Sequence, residues 1–140
     1  MPRFMMLMYP NITDEQYEQG VSADDAAAMT AFNEALTQAG VLLALDGLHP
    51  ASKGARVRVQ GSGTKTVTDG PFTEAKELVG GYWLIDVKSK EEAVEWASRC
   101  PGEDGDVIEV RQVFEMSDFD EDVQRAAQIS EEPPAQTQAR

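Results

Sequence analysis

Two side chains in this sequence could transfer a proton near neutral pH, and they lie in different turns. Asp69 opens the turn Asp69-Gly70-Pro71-Phe72, and His49 stands directly before Pro50. A carboxylate and an imidazole can share acid–base chemistry if folding brings them within hydrogen-bond reach. Asp69 could equally accept hydrogen bonds from its own turn, and a lone histidine in a loop is more often a polar surface group. Both interpretations stay open for both residues.

Other residues could form the walls of a small-molecule pocket. Tyr9 and Tyr82 each combine an aromatic face with a hydroxyl, and Lys76 could present charge to a ligand. Aromatic residues in strands are usually core, however, and core is the better interpretation of Trp83. A solvated helical turn would also explain Lys76 without any ligand.

Several kinds of site are disfavoured by the residues present. One Cys and one His cannot build a zinc site from soft ligands. Gly61-Ser62-Gly63 reads as a hairpin turn because no helix or phosphate-loop lysine follows it. A serine nucleophile elbow is also missing from the sequence. We therefore predict neither a metal nor a cofactor.

Composition limits the partners and the compartment. The chain has 140 residues and a net charge of −13, which opposes binding to nucleic acid or anionic lipid. The apolar run at 41–45 is far too short to cross a bilayer, and the N-terminus lacks the pattern of a signal peptide. Cys100 has no possible disulfide partner within the chain. These features predict a cytoplasmic protein.

The spacing of the apolar residues, together with the glycines, prolines and capping residues between them, predicts the helices and strands that would position these residues. Strands are expected over 3–9, 41–45, 82–87 and 107–114, with 82–87 central in the sheet. Residues 56–60 alternate strictly, which predicts apolar side chains inside and charges outside, and the glycine-containing turn at 61–63 joins them to the Thr-rich run 64–68 as a hairpin. Ser22 and Gly40 bound a helix over about 23–39, and a Ser89 capping box opens another that Pro101 closes. Short helical turns are expected after Thr13 and over 73–77.

The order β, α, β, hairpin, β, α, β predicts an α+β fold. It is a ferredoxin-like split βαβ plan with an inserted β-hairpin and two helices on one face of a mainly antiparallel sheet. Helices on one face leave the other uncovered, and Val57, Val59, Trp83 and Ile85 cannot all be solvated. Dimerisation through the open face is the simplest way to bury these side chains.

Three segments are expected along the chain. Residues 1–116 form the α+β domain, 117–129 a C-terminal amphipathic helix, and 130–140 an acidic, proline-rich and disordered tail. The thin apolar stripe of the predicted helix could dock on the domain or on a partner subunit.

The segment from Val67 to Val87, VTDGPFTEAKELVGGYWLIDV, resembles the signature of the YCII-related, DGPF-domain family. The resemblance extends over about residues 3–115, through the opening strand, the Gly47-Leu48-His49-Pro50 turn and the segment from Ala93 to Pro101. It implies a homodimeric α/β barrel of ferredoxin-like subunits with a cleft near the signature turn. Gly70, Pro71 and Phe72 would then line that cleft.

Some members of the wider YCII-like group are thought to use a His–Asp pair, with the His at the start of the first long helix. This sequence has no His there, so within the signature only Asp69 is carried over. The resemblance is compatible with a cofactor-independent lyase or isomerase acting on a small polar or aromatic metabolite through Asp69, with or without His49. The alternative is a dimeric protein that binds a small molecule or regulates a partner without turnover.

Overall fold

The computed structural model describes residues 1–71 and 78–127. Its main sheet has four antiparallel strands in the order β2-β5-β1-β6. These are β1 (Arg3–Tyr9), β2 (Leu42–Gly47), β5 (Gly81–Asp86) and β6 (Val107–Gln112). The two central strands are β1 and β5, so the predicted central position of the aromatic strand is confirmed. The order is that of a ferredoxin-like fold, and the predicted fold class is confirmed.

The described residues also form four α-helices: α1 (Asp14–Glu18), α2 (Ala23–Gln38), α3 (Lys90–Ser98) and α4 (Glu121–Ala127). Local chemistry sets the ends of the long ones. The Ser22 hydroxyl accepts the Asp25 amide at 3.1 Å, and Gly40 adopts a φ of +74° that favours glycine after a helix. Among the described residues, no helix combines the length and hydropathy that crossing a bilayer requires.

The capping box of α3 differs in one contact from the predicted form. The Ser89 hydroxyl accepts the Glu92 amide at 3.2 Å, as expected. The Glu92 carboxylate, however, accepts the amide of Lys88 at 3.2 Å rather than that of the capping serine. The Ser89 hydroxyl still satisfies one amide that the first turn leaves without a partner.

The core lies between the main sheet and the helices α2 and α3. Trp83 and Ile85 of β5 are 5% and 0% exposed, and the Trp83 indole donates a 2.7 Å hydrogen bond to Asn33 Oδ1. The interpretation of Trp83 as core is therefore confirmed, and both residues are covered within one chain. The other buried members of the core are Phe4, Met6, Phe32, Leu36, Val41, Val87, Ala93 and Trp96.

The inserted hairpin corrects one prediction. Strands β3 (Ala55–Val59) and β4 (Lys65–Asp69) form a separate two-stranded sheet and, among the strands of the described residues, pair only with each other. Val57 and Val59 are 58% and 67% exposed, so their expected inward orientation is wrong. Alternation identifies which side chains share a face, but none of the described residues buries this one.

Two segments whose structure was predicted lie outside the described residues. The helical turn expected over 73–77 is one, and the tail expected over 130–140 is the other. The α4 helix falls inside the stretch predicted for the C-terminal helix, and the proposed domain boundaries stay predictions.

Candidate functional site

A small recess lies where the end of β1, the helix α1 and the loop after β2 meet residues 78–80. Its volume is about 30 Å³, which is room for about two water molecules at roughly 10–15 Å³ each. It is therefore large enough for a functional group of a ligand but not for a whole metabolite. The lining residues are Pro10, Ile12, Thr13, Asp14, Tyr17, His49, Pro50, Ala51, Leu78, Val79 and Gly80.

An open groove of about 590 Å³ adjoins this recess. The two concavities share Tyr17, His49 and Pro50. The groove is further lined by Glu18, Leu48 and Lys53. A ligand lying in the groove could therefore extend one group into the recess past the imidazole.

The short helix α1 forms because its first turn is capped. The Thr13 hydroxyl accepts the Gln16 amide at 3.1 Å, and the Gln16 side-chain oxygen accepts the Thr13 amide at 2.9 Å. This reciprocal pair is a capping box, and it begins the short helical turn that is expected after Thr13. It orients Asp14 and Tyr17, one turn apart, toward the loop that carries His49.

Asp14 binds the loop on one side of His49. Its two carboxylate oxygens accept the amides of Ala51 and Ser52 at 3.0 and 3.1 Å. These amides open the 3₁₀ turn Ala51–Lys53, which otherwise lacks a side-chain cap. Glu18, from the same helix, accepts a hydrogen bond from the Ser52 hydroxyl. Sequence reasoning missed this role because the partners are 37 and 38 residues away, and acidic residues are common in any first helical turn.

Tyr17 binds the loop on the other side of His49. Its hydroxyl lies 2.5 Å from the Leu48 carbonyl oxygen and 2.9 Å from that of Gly80. Because a phenol has one proton, it donates to one carbonyl at a time. Burial raises the pKa of this phenol above its ordinary value. A Cβ at Gly80 would lie 3.1–3.3 Å from Pro10 and the Tyr17 ring, so a side chain there would crowd the recess.

His49 is therefore held in a loop that is fixed on both sides. Its side chain is exposed and lies on both the recess and the groove. It makes no hydrogen bond with any residue of the described ranges. Position and exposure make the imidazole available to a ligand, while its catalytic role stays a prediction.

The described part of the signature turn, residues 69–71, packs beside this loop and lines neither concavity. Asp69 is the last residue of β4 and is exposed, and within the described residues its carboxylate accepts no amide hydrogen bond. The Gly70 amide donates to the Gly54 carbonyl at 2.9 Å. A Cβ on Gly70 would lie 1.6 Å from the Ala51 carbonyl oxygen. Glycine is thus required where the turn meets the segment that follows His49.

The remaining predicted ligand residues are dispersed. Tyr82 lies on the helix-free face of β5, where its hydroxyl donates to Asp46 at 2.8 Å, and this bond raises the pKa of the phenol. Tyr9, at the end of β1, points to the same face and pairs with Val107. Pro71 is exposed beyond β4. These three residues do not line the recess or the groove, and Phe72 and Lys76 lie outside the described residues.

Comparison with known proteins places this geometry in a family. A family model described as YCII-related domain matches residues 3–117. An uncharacterized protein of Rhizobium meliloti (strain 1021), named R00369, is 36% identical over 69 residues, which is 49% of this chain. The match spans 55% of that relative's length. Because the family match covers most of the chain, including every strand and the loop of His49, the protein belongs to the YCII-related family.

Proposed function

We propose that this protein binds a small polar or aromatic metabolite in the groove around His49. The observation that carries the proposal is that His49 stands at the junction of the groove and the recess. It is the only histidine of the chain. An exposed imidazole at such a junction can donate or accept a hydrogen bond as its protonation changes.

The groove offers both apolar and polar contacts. Leu48 and Pro50 provide apolar surface, and Lys53 adds a cation near the imidazole. The Asp14 carboxylate and the Tyr17 hydroxyl already bind the loop backbone, so they shape the recess rather than bind ligand. This combination fits a small molecule with an apolar body and one anionic or hydroxyl group.

Protein-observed NMR with a library of small carboxylates and phenols tests this proposal. We expect chemical-shift changes to cluster at Tyr17, His49 and Lys53, and to be lost in His49→Gln. Lys88→Gln, on an exposed turn away from the groove, is the matched control and should bind as the wild type does. Shifts that cluster elsewhere, or that survive in His49→Gln, would refute the assignment.

A second candidate function is proton transfer, as in a cofactor-independent lyase or isomerase that uses Asp69 with His49. Its support is the packing of Gly70 against Ala51, which holds the signature turn next to the loop of His49. We expect any turnover found for a bound ligand to fall sharply in Asp69→Asn and in His49→Gln, with ligand affinity reduced only in the latter. Turnover that is unchanged in both folded variants would exclude this chemistry.

We also propose that the protein is a homodimer formed through the helix-free face of the main sheet. Met5, Leu7 and Leu84 lie on that face and are only partly covered in one chain. Burial against a second copy would remove this apolar surface from water. Sedimentation that shows a stable monomer at micromolar concentration would contradict the proposal.

A further inference from the structure

The hairpin of β3 and β4 stands apart from the rest of the protein. In the part of the chain that the structure describes, its strands pair only with each other, and every residue from 53 to 69 is exposed. A two-stranded hairpin without further packing is marginally stable in water. Within residues 1–71 and 78–127, this element therefore lacks the cover that the strands of the main sheet receive from the helices.

One face of the hairpin is apolar. Val57 pairs directly with Val67, and Val59 pairs with Lys65, so the three valines share a face. They are 58%, 65% and 67% exposed for Val57, Val67 and Val59. Three valines exposed together on one small sheet form a patch that suits a protein interface.

The hairpin also differs in charge from the rest of the chain. Residues 53–69 contain four cationic side chains and one carboxylate, a net charge of +3. The whole chain carries −13, so the remaining residues carry −16. The cations are Lys53, Arg56, Arg58 and Lys65.

We propose that this hairpin is a docking arm for a second copy of the same chain. Its valine face, together with Lys65 on the same face, packs on that copy, while the net charge of +3 on the arm is attracted to the copy's acidic surface. Nucleic acid or an anionic membrane is a poorer occupant because a surface of net charge −16 would repel it. This proposal rests on the homodimer proposed above. It adds the hairpin, which lies outside the main sheet, to the dimer interface.

Sedimentation of two double variants tests the arm. Val57→Thr/Val67→Thr removes apolar surface while keeping shape and strand propensity, and Arg58→Glu/Lys65→Glu reverses two charges. We expect each to raise the dissociation constant of self-association about tenfold or more. From about 50 mM to about 500 mM sodium chloride, wild-type association should weaken, and the charge-reversed variant should lose this dependence.

Two matched controls isolate the effect. Val94→Thr changes a valine on α3 that is 46% exposed. Lys88→Glu/Lys90→Glu changes the net charge by the same amount on the body. Both should associate as the wild type does.

Crosslinking of mixed isotopically light and heavy chains provides a second measurement that requires no variant. A carbodiimide should join Lys65 of one copy to a carboxylate of the other. If the arm variants dimerise with wild-type affinity, the proposed role of the hairpin is refuted, while the proposed homodimer is not. A wild-type chain that stays monomeric at about 100 μM, a concentration far above typical dimer dissociation constants, would overturn both proposals.

Discussion

Replacing Asp14 by Asn should loosen the loop of His49 without unfolding the protein. The carboxylate accepts two backbone amides, one at each oxygen, from Ala51 and Ser52. An asparagine at this position keeps one acceptor oxygen and turns an NH₂ group toward the second amide. One hydrogen bond is therefore lost, and the other loses the assistance of the negative charge.

The cost can be estimated from these two bonds. Hydrogen bonds to charged groups contribute about 1.5–3 kcal/mol each, and neutral ones about 0.5–1.5 kcal/mol. Asp14 is partly exposed, which places its bonds at the low end of the charged range. Losing one bond and weakening the other should cost about 2 kcal/mol. The loop lies at the surface, so this cost should appear as local opening rather than global unfolding.

Amide hydrogen exchange measured by NMR tests this estimate. A loss of about 2 kcal/mol corresponds to roughly 30-fold faster exchange at Ala51 and Ser52. Amides of the central strand β5 should keep their protection. Asp24→Asn, also in the first turn of a helix, is the matched control and should leave the loop amides unchanged.

Two results would refute the reasoning. Unchanged protection at Ala51 and Ser52 would mean that Asp14 does not hold the loop. An equal loss of protection in β5 would mean that the effect is global. If the local effect is found, ligand binding at His49 should weaken in parallel, because the groove is lined by the same loop.

Two further predictions concern the signature turn and the ion pair between Arg3 and Glu115. In a urea titration, Gly70→Ala should lower the free energy of unfolding by about 2 kcal/mol or more, because its Cβ would lie 1.6 Å from the Ala51 carbonyl oxygen. The control is Gly61→Ala, where the added Cβ has no atom from a non-adjacent residue within 4 Å. This variant should have little effect in the same titration. Arg3 donates two hydrogen bonds to Glu115 at 2.8 and 3.2 Å, and this lowers the pKa of the Glu115 carboxyl below its ordinary value. The Arg3–Glu115 ion pair therefore stabilises the folded protein at neutral pH, and this stabilisation is lost as the pH falls through the lowered pKa of Glu115. Arg3→Met should destabilise the protein modestly at neutral pH and not in strong acid.

A wild-type midpoint for Gly70→Ala would mean that the close approach to Ala51 is not required. For the ion pair, a stability difference between wild type and Arg3→Met that is independent of pH would show that packing, and not charge, explains the effect.

The positions of the helices and strands of the main sheet could be predicted from the sequence because their signals are local. Ser22 and Gly40 bound the long helix through contacts within a few residues of each end. In the strand from Gly81 to Asp86, aromatic and branched side chains were sufficient to indicate a central strand. Strand order then followed from the alternation of elements, since few topologies accommodate it.

The candidate site could not be predicted in the same way because it is assembled from distant segments. In the sequence, Asp14 stands out only as the first residue of the helical turn expected after Thr13, yet it binds amides 37 and 38 residues away. Tyr17 was not singled out at all, although its hydroxyl contacts the backbone of two separate loops. No property of either residue in the sequence specifies such partners.

The sequence by itself determined the family, the fold class and the two titratable residues worth attention, Asp69 and His49. Only the tertiary structure decided that His49 lines the recess and the groove while Asp69 stays outside their lining. It also decided that Val57 and Val59 are exposed, although their alternation with charge predicted burial. The physical reason is the same in both cases: spacing along a chain specifies which side chains share a face or a turn, whereas the surface that meets that face is supplied by residues far away in sequence.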